Sequence, residues 1–436
     1  MIKVLILTYY FPPAGGSGVQ RWLYFSKHFS KYGIEPFVIT VDSKKASYRF
    51  TDTSLEKKVA HVKVFRTDSH EILAFYAALK GGDKSRNIPQ GFAGEPEPGF
   101  LQKVARFIRG NFFLPDARRG WNRFAFEKAV ELIRKENIQL VVTSGPPHST
   151  HLVGLKLRKT LPVKWLADFR DPWTEVYYNR MLYKTPIARK KDASMEQKVL
   201  ENADHVLTIG PGMKRLLQKK LPPESREKVS FIYNGYDDEL FKDVHKVPSG
   251  YFCISHSGIL SENQPIDAFL TGLKKFLEKF PSALEKIRLQ FVGNVSPSIL
   301  SKVEHIVGEQ RLLQTGYVKH HEAIRHMVNA DLLLNSFALS EDSSLLVSGK
   351  LVEYIATGNA ILGLGDPAGD AAELLKGNPN ANIFARDDVD GISLFIERIY
   401  LQWLNGHQSQ VNPLAITKLS RDSTTGQLAE IIRKLL

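Results

Sequence analysis

The sequence has one cysteine, Cys253, in 436 residues. A single thiol excludes an internal disulfide and any cysteine-cluster metal site, and it points to a reducing cytoplasm. Long apolar runs are missing as well: no stretch approaches the roughly 18 uninterrupted apolar residues of a membrane span. The opening Met1-Ile2-Lys3-Val4-Leu5-Ile6-Leu7 is too short an apolar run for a secretory leader and lacks a small-residue cleavage site, so it reads as a first β-strand. There is no tandem repeat and no low-complexity tract. What remains is a globular balance, 43% hydrophobic and 24% charged, which argues against disorder. The length exceeds what one ordinary core supports and predicts two or three domains.

Acid is scarce in one half only. Residues 1–250 carry 42 Lys and Arg against 26 Asp and Glu, net +16, whereas residues 251–436 carry 17 against 20, net −3. A polarised positive field suits an anionic partner: a membrane surface, a phosphorylated acceptor or nucleic acid. A basic background with no partner is the plain alternative, and the polarisation argues against it.

Short apolar runs alternate with helical patterns through the first half. Strands are predicted at Lys3–Thr8, Pro36–Thr40, Val62–Arg66, Gln139–Thr143, Val163–Asp168, His205–Ile209 and Val229–Tyr233, with amphipathic segments such as Gln20–Tyr32 and Phe124–Glu136 between them. The alternation restarts at Tyr251, with strands at Phe252–Ser257, Ile287–Gly293, Leu313–Val318, Asp331–Ser336 and Ala360–Leu364. Such alternation implies parallel sheets with helices on both faces. The polar segment Asp237–Pro248 reads as a linker, so two doubly wound α/β domains are expected to meet near residue 245.

Lys80–Gly99, rich in Gly, Pro and charge, reads as a mobile loop. After it, Phe100, Leu101, Val104, Ala105 and Ile108 share one helical face, and Lys103, Arg106 and Arg109 another. A basic amphipathic helix can lie in a membrane interface, and it can equally pack its stripe on a domain core.

Several strand ends carry groups suited to chemistry. Tyr9-Tyr10-Phe11-Pro12-Pro13-Ala14-Gly15-Gly16-Ser17-Gly18 forms a glycine-rich turn before a helix, where backbone N–H groups meet an anion. It is neither Gly-x-Gly-x-x-Gly nor a P-loop, so nicotinamide and ATP sites lose their fingerprints. His148 follows the strand Gln139–Thr143, and Asp168-Phe169-Arg170-Asp171-Pro172-Trp173 ends the next. Doubly wound sheets bind ligands at such ends, although a lone histidine or an Arg-Asp pair is more often structural. In the second half, Lys350 and Glu353 lie one turn apart on a helix opening after Ser348-Gly349. A lysine there suits phosphate and the glutamate suits sugar hydroxyls; the plain alternative is an exposed ion pair between them.

Taken in order, these features resemble the GT-B glycosyltransferases, specifically retaining family 4. The resemblance covers nearly the whole chain: Gly15-Gly16-Ser17-Gly18, Arg170-Asp171-x-Trp173, Ser257-Gly258, Thr315-Gly316-Tyr317-Val318, Ala330-Asp331 and Lys350-x-x-Glu353-Tyr354-x-Ala356-x-Gly358. It implies two Rossmann-like domains facing across a cleft. Residues 1–245 would bind the acceptor, residues 246–417 the donor, and a terminal segment 418–436 would cross back to the first domain. It implies donor contacts from Gly15, Gly16, Ser257, Gly258, Tyr317, Lys350 and Glu353, with Glu353 on the ribose and Lys350 and the glycine amides on the diphosphate. His148, Asp171 and Arg170 would form the reaction centre facing the cleft, Arg170 and Asp168 orienting Asp171. Two positions depart from the family. Leu345 stands where the first glutamate of a Glu-x7-Glu pair is usual, and Ile259-Leu260-Ser261-Glu262-Asn263-Gln264 lacks the usual Arg/Lys pair.

The expected activity is transfer of a sugar, with retention, from a nucleotide diphosphate to a glycan or lipid-linked acceptor in cell-surface polysaccharide or lipopolysaccharide synthesis. No cofactor or metal is expected, there being no Asp-x-Asp motif beside a donor loop. A nucleotide-sugar epimerase of the same fold and an inactive, membrane-associated carbohydrate-binding scaffold are the alternatives. Lys103, Arg106 and Arg109, with Phe107, Phe112 and Phe113, predict docking on the anionic inner face of the plasma membrane. Nucleic acid is disfavoured, because the helix's aromatics lie with its apolar stripe and are not interleaved for base stacking.

Overall fold

The computed structural model describes residues 1–48, 50–70, 99–339, 344–345, 347–406 and 416–436. The expected loop over Lys80–Gly99, except Gly99 itself, lies outside the described residues. The chain divides into two compact units, Met1–Tyr233 with Arg421–Leu436, and Asn234–Ser420.

The first unit is built on β1 (Ile2–Thr8), β2 (Ile34–Val41), β3 (Lys63–Thr67), β4 (Leu140–Gly145), β5 (Lys164–Phe169), β6 (His205–Thr208) and β7 (Val229–Phe231). Every pairing is parallel, in the order β3-β2-β1-β4-β5-β6-β7. A parallel sheet covered on both faces needs strands that are apolar on both sides, and Val4-Leu5-Ile6-Leu7 and Val141-Val142 are fully buried. The covering helices include α1 (Ser17–His28), α2 (Phe100–Phe112), α3 (Asn122–Glu136), α4 (Ser149–Thr160), α5 (Pro186–Asn202) and α6 (Pro211–Lys219). Strand order reverses between β1 and β4, where a doubly wound sheet opens a crevice at its carboxyl edge. Thr8 pairs with Ser144 and Gly145 with Phe169, so the segments after β1, β4 and β5 leave the sheet side by side.

The second unit repeats the plan with β8 (Phe252–Ser257), β9 (Ile287–Val292), β10 (Leu312–Gly316), β11 (Leu332–Ser336), β12 (Ala360–Leu364) and β13 (Ala381–Phe384). Its order is β10-β9-β8-β11-β12-β13, also parallel, with the reversal between β8 and β11. Its helices include α7 (Asp267–Lys279), α8 (Pro297–Val307), α9 (His320–Asn329), α10 (Gly349–Thr357), α11 (Asp370–Leu375) and α12 (Val389–Leu404). The two doubly wound sheets are those the alternation implied. Strand β13 is the one the sequence reading missed: four residues amid Asn, Pro and Gly are too few to show a period.

The first unit ends at Tyr233 and not near 245, because the segment after it is tied to the second unit. The Tyr236 N–H donates to the Leu419 carbonyl at 3.0 Å. The terminal helix α13 (Arg421–Leu435) returns to the first unit, burying Leu428, Ala429 and Ile432 in that core. Tyr32 Oη donates to the Asp422 carbonyl at 2.9 Å, and Lys31 Nζ reaches the Asp422 carboxylate at 3.0 Å.

One buried charge holds the reversal point of the first sheet. Asp168, fully buried on β5, accepts from Arg21 Nε at 3.1 Å, Trp22 Nε1 at 2.7 Å and Ser144 Oγ at 2.9 Å. The same guanidinium donates to the carbonyls of Ile232 at 2.9 Å and Thr208 at 3.4 Å. Burial lowers the Arg21 pKa, and Asp168 opposes that shift. Removing one partner of such a pair leaves an uncompensated buried charge, so Asp168→Ala is expected to cost about 3–5 kcal/mol. The exposed control Glu224→Ala is expected to cost at most about 0.5 kcal/mol. Urea unfolding followed by tryptophan fluorescence measures both, and a loss below about 1 kcal/mol for Asp168→Ala would show that the pair does not hold this edge together.

Candidate functional site

In the second unit the carboxyl edge of the sheet meets the start of α10. Ser348 caps that helix, its hydroxyl accepting the Leu351 N–H at 3.2 Å, while Leu351, Val352, Tyr354 and Ile355 anchor it in the interior. Lys350 leans over the end of β8: a side chain at Gly258, whose φ is 110°, would put its Cβ 3.1 Å from Lys350 Cε. The Ser257 N–H donates to Tyr354 Oη at 2.8 Å and the Gly258 N–H to the Val292 carbonyl at 2.7 Å, so neither amide is left for a ligand. Tyr317 stands exposed just beyond β10.

Lys350 and Glu353 do not pair with each other. Glu353 Oε1 instead accepts from His320 Nε2 at 2.9 Å, and Lys350 Nζ lies 3.3 Å from His256 Nε2. His256 Nδ1 sits 2.9 Å from the Leu334 carbonyl. That nitrogen therefore carries the proton, and Nε2 accepts from the ammonium. Burial keeps the imidazole neutral, its pKa lowered to about 3, and pulls Lys350 down to about 8. The Glu353 charge opposes the fall for Lys350 without cancelling it, and a desolvated cation whose hydrogen-bond partner among the described residues is neutral is poised for an anion.

His256 escaped the sequence reading, and so did Asn335, whose buried amide nitrogen makes no hydrogen bond among the described residues. Position was the available signal. His256 directly precedes Ser257-Gly258 and Asn335 precedes Ser336, on the two strands that flank the order reversal.

The first unit presents different chemistry. Gly16, exposed and with φ 86°, leads into α1. The Gly15 N–H donates to the Phe50 carbonyl at 2.9 Å, so the expectation that this amide serves a diphosphate does not hold. Arg170 spends its guanidinium on the carbonyls of Gly18, Gly145 and Pro146. It clamps the loops after β1 and β4 and so acts on position. Asp168 accepts from Arg21, Trp22 and Ser144.

His148 is buried and stacks on Trp173, with ring centroids 5.0 Å apart and planes 14° apart. Neither ring nitrogen has a hydrogen bond among the described residues. Burial lowers its pKa to about 3, with the Pro172 carbonyl opposing the shift. Gly145 makes room for this arrangement: a Cβ there would lie 2.9 Å from His148 Nδ1 and 2.6 Å from His151 Nε2. His148 and the half-buried Asp171 line one cavity of about 100 Å³, together with Tyr10, Arg109, Arg118 and Trp173.

The expected outward basic face of α2 does not form. Arg106 is buried, Arg109 lines that cavity, and of the three only Lys103 is exposed. Gly110 gives the reason, because a Cβ there would sit 2.2 Å from the Leu182 carbonyl. The helix is seated on its Gly110 side, and Arg106, one turn earlier, turns inward with it. Asn111 secures the seat, accepting the Thr185 N–H at 2.8 Å and donating to the Tyr183 carbonyl at 3.1 Å. Phe100, Val104, Phe107 and Phe112 are left exposed, Phe100 at 79% and Phe112 at 68%.

With pKa values near 3, His148 and His256 are expected to stay neutral from pH 5 to 8. Imidazole nitrogen shifts of both should be flat across that range in nuclear magnetic resonance. A titration midpoint inside it would show that solvent or a carboxylate reaches the rings.

The comparisons fit this architecture. The family model "Glycosyltransferase Family 4" matches residues 16–240. No curated protein matches the sequence closely enough to count as a relative. Among solved structures, a glycosyltransferase from Rickettsia africae is similar at 13% identity and TM-score 0.64, over 100% of this chain and 98% of that one. Sucrose-phosphate synthase from Thermosynechococcus elongatus is similar at 13% identity and TM-score 0.61, over 100% and 99% of the two chains. HepE from Anabaena, solved in complex with UDP-glucose, is similar at 13% identity and TM-score 0.58, over 100% of both chains. At such identities the likeness of structures speaks for the fold, and the family match speaks for the chemistry: this chain belongs to glycosyltransferase family 4 and is a transferase of the GT-B fold.

Proposed function

We propose that the chain transfers a sugar, with retention and without a metal, from a nucleotide diphosphate to a glycan or lipid-linked acceptor in cell-surface polysaccharide or lipopolysaccharide synthesis. The observation that carries the proposal is the cation already set at the strand ends, Lys350 against neutral His256. The bond between the anomeric carbon and the diphosphate oxygen breaks, its electron pair leaves on the diphosphate, and the acceptor hydroxyl oxygen bonds to the anomeric carbon on the same face. Lys350 meets that charge, the task a divalent cation performs elsewhere. Glu353 binds the ribose hydroxyls, exchanging its contact with His320 for them. Asp171 takes the proton of the acceptor hydroxyl, and neutral His148 contacts the sugar. The UDP-glucose held by HepE supports a nucleotide-sugar donor.

Nucleotide release from UDP-, GDP- and ADP-sugars in the presence of EDTA tests the proposal. Release confined to one donor class is expected. A buried charged hydrogen bond is worth about 1.5–3 kcal/mol, so Glu353→Ala should weaken nucleotide binding at least about tenfold. Lys350 is charged below about pH 8 and loses its proton above it, so diphosphate affinity should fall as the pH rises through 8. Asp171→Asn should fold and lose turnover. Nucleotide binding without turnover would favour a scaffold, and conversion of the sugar without transfer an epimerase; either outcome overturns the proposal.

We place the reaction at the inner face of the plasma membrane, reached by the apolar side of α2. Among the described residues no helix is long and apolar enough to cross a membrane. With Arg106 and Arg109 turned inward, attachment rests on Phe100, Val104, Phe107 and Phe112, with Lys103 beside them. Binding to phosphatidylglycerol vesicles should therefore survive high salt and drop in a Phe100→Ser/Phe107→Ser variant. Equal co-sedimentation of that variant and the wild type would refute the assignment.

A further inference from the structure

Two exposed sets of side chains on the first unit belong to one surface. On α2, Phe100, Val104 and Phe107 follow each other at helical spacing with Lys103 among them, and the stripe runs on to Asn111. Asn111 ties that end of the stripe to the start of α5, accepting the Thr185 N–H and donating to the Tyr183 carbonyl. Thr185 in turn caps α5, its hydroxyl accepting the Ala188 N–H at 3.2 Å. At this junction Tyr183 and Ile187 are exposed as well, Ile187 at 81%. Arg189, Lys190 and Lys191 follow, all exposed, and Lys190 and Lys191 share the face of Ile187 at i+3 and i+4. Neither these cations nor Lys103 has a side-chain hydrogen bond or ion pair among the described residues. No acid precedes the buried Asp192 in α5, and cations near the start of a helix gain nothing from its dipole. The exposed apolar side chains and the free cations beside them therefore have no use inside the fold.

We propose that α2 and the start of α5 together form a docking surface for a bilayer rich in anionic lipid. The apolar side chains enter the headgroup boundary, and Lys103, Arg189, Lys190 and Lys191 meet the lipid phosphates. Composition favours lipid over other partners. Lysine is depleted at protein interfaces, and nucleic acid offers nothing to the exposed Val104 and Ile187. At a bilayer, by contrast, Lys and Arg lay their stems along apolar surface and keep their charged heads at the interface. The proposal rests on the membrane placement above and adds what that placement lacks: a second element, α5, and a choice of lipid by charge. Helix α2 also delivers Arg109 to the cavity that Asp171 and His148 line, so the surface lies one helix away from the candidate reaction centre.

Co-sedimentation of the full chain with phosphatidylcholine vesicles, with and without phosphatidylglycerol, tests this at low and high salt. At low salt the wild type should bind the vesicles containing phosphatidylglycerol at least about tenfold more tightly, and the preference should shrink at high salt. Arg189→Gln/Lys190→Gln/Lys191→Gln should lose that preference, while its binding to pure phosphatidylcholine, its urea midpoint and its UDP affinity stay unchanged. Lys190→Arg/Lys191→Arg should keep it. Ile187→Ser should weaken binding to both kinds of vesicle. A glutamine variant that still prefers phosphatidylglycerol overturns the proposal; if Phe100→Ser/Phe107→Ser has meanwhile lost binding, the membrane placement stands without it. A wild type that binds neither kind of vesicle overturns both. Self-association of the chain without lipid, abolished by Ile187→Ser, would make this surface a contact between copies and also overturns the proposal.

Discussion

The first unit depends on a carboxylate that does no chemistry. Asp168 gathers donors from α1 and β4, and its partner Arg21 extends the net to the carbonyls of Thr208 and Ile232, at the ends of β6 and β7. Taking two charges out of water costs several kcal/mol per ion before any attraction is counted. The return is geometry: five hydrogen bonds fix where α1 begins relative to the ends of β4 to β7. The His148 segment and Asp171 emerge from those ends, and the Gly15–Gly18 turn leads from β1 into α1 beside them. Arg170 extends the same logic one layer outward, tying the carbonyls of Gly18, Gly145 and Pro146 into one rim.

The second unit places a cation at the equivalent point of its sheet and treats it differently. Arg21 is bonded to a carboxylate; Lys350 is bonded to an imidazole that burial keeps neutral, and the Glu353 charge only partly opposes the fall in its pKa. That difference separates a cation bound to a buried carboxylate from one whose hydrogen-bond partner is neutral. A paired cation gains little from an incoming anion, whereas a desolvated lysine whose pKa has fallen to about 8 recovers its lost solvation only when an anion arrives. Tyr354 supports the arrangement from below, its hydroxyl accepting the Ser257 N–H and donating to the same Leu334 carbonyl that holds His256.

Periodicity made the fold legible. Buried parallel strands read as apolar runs, and every predicted strand is present; β13 was too short and too close to turn formers to register. The site was legible only where residue types are unusual for their place, as with Lys350 and Glu353 at a helix start. His256 and Asn335 look like ordinary strand residues, and their importance comes from hydrogen bonds, or the lack of one, that exist only after folding. The same holds for Gly15: a glycine-rich turn announces available amides, but only the folded chain shows that Phe50 has taken this one.

Helix α2 shows where pattern reading stops. An amphipathic helix declares two faces without declaring which is inside, and the usual choice buries the apolar one. Here a single glycine decides the other way. Close contact at Gly110 turns Arg106 and Arg109 toward the unit's interior and leaves the phenylalanines outside. One helix thereby sends its basic and its apolar residues to different sides. Arg109 lines the cavity beside Asp171 and His148, while Phe100, Val104, Phe107 and Phe112 stay exposed. The +16 of residues 1–250 is then not one electrostatic patch but several local assignments, among them Arg21 paired, Arg170 clamped to backbone, and Arg109 and Arg118 turned into a cavity. Net charge marks the basic half of the chain; only packing shows which of its cations are committed within the fold and which line a cavity.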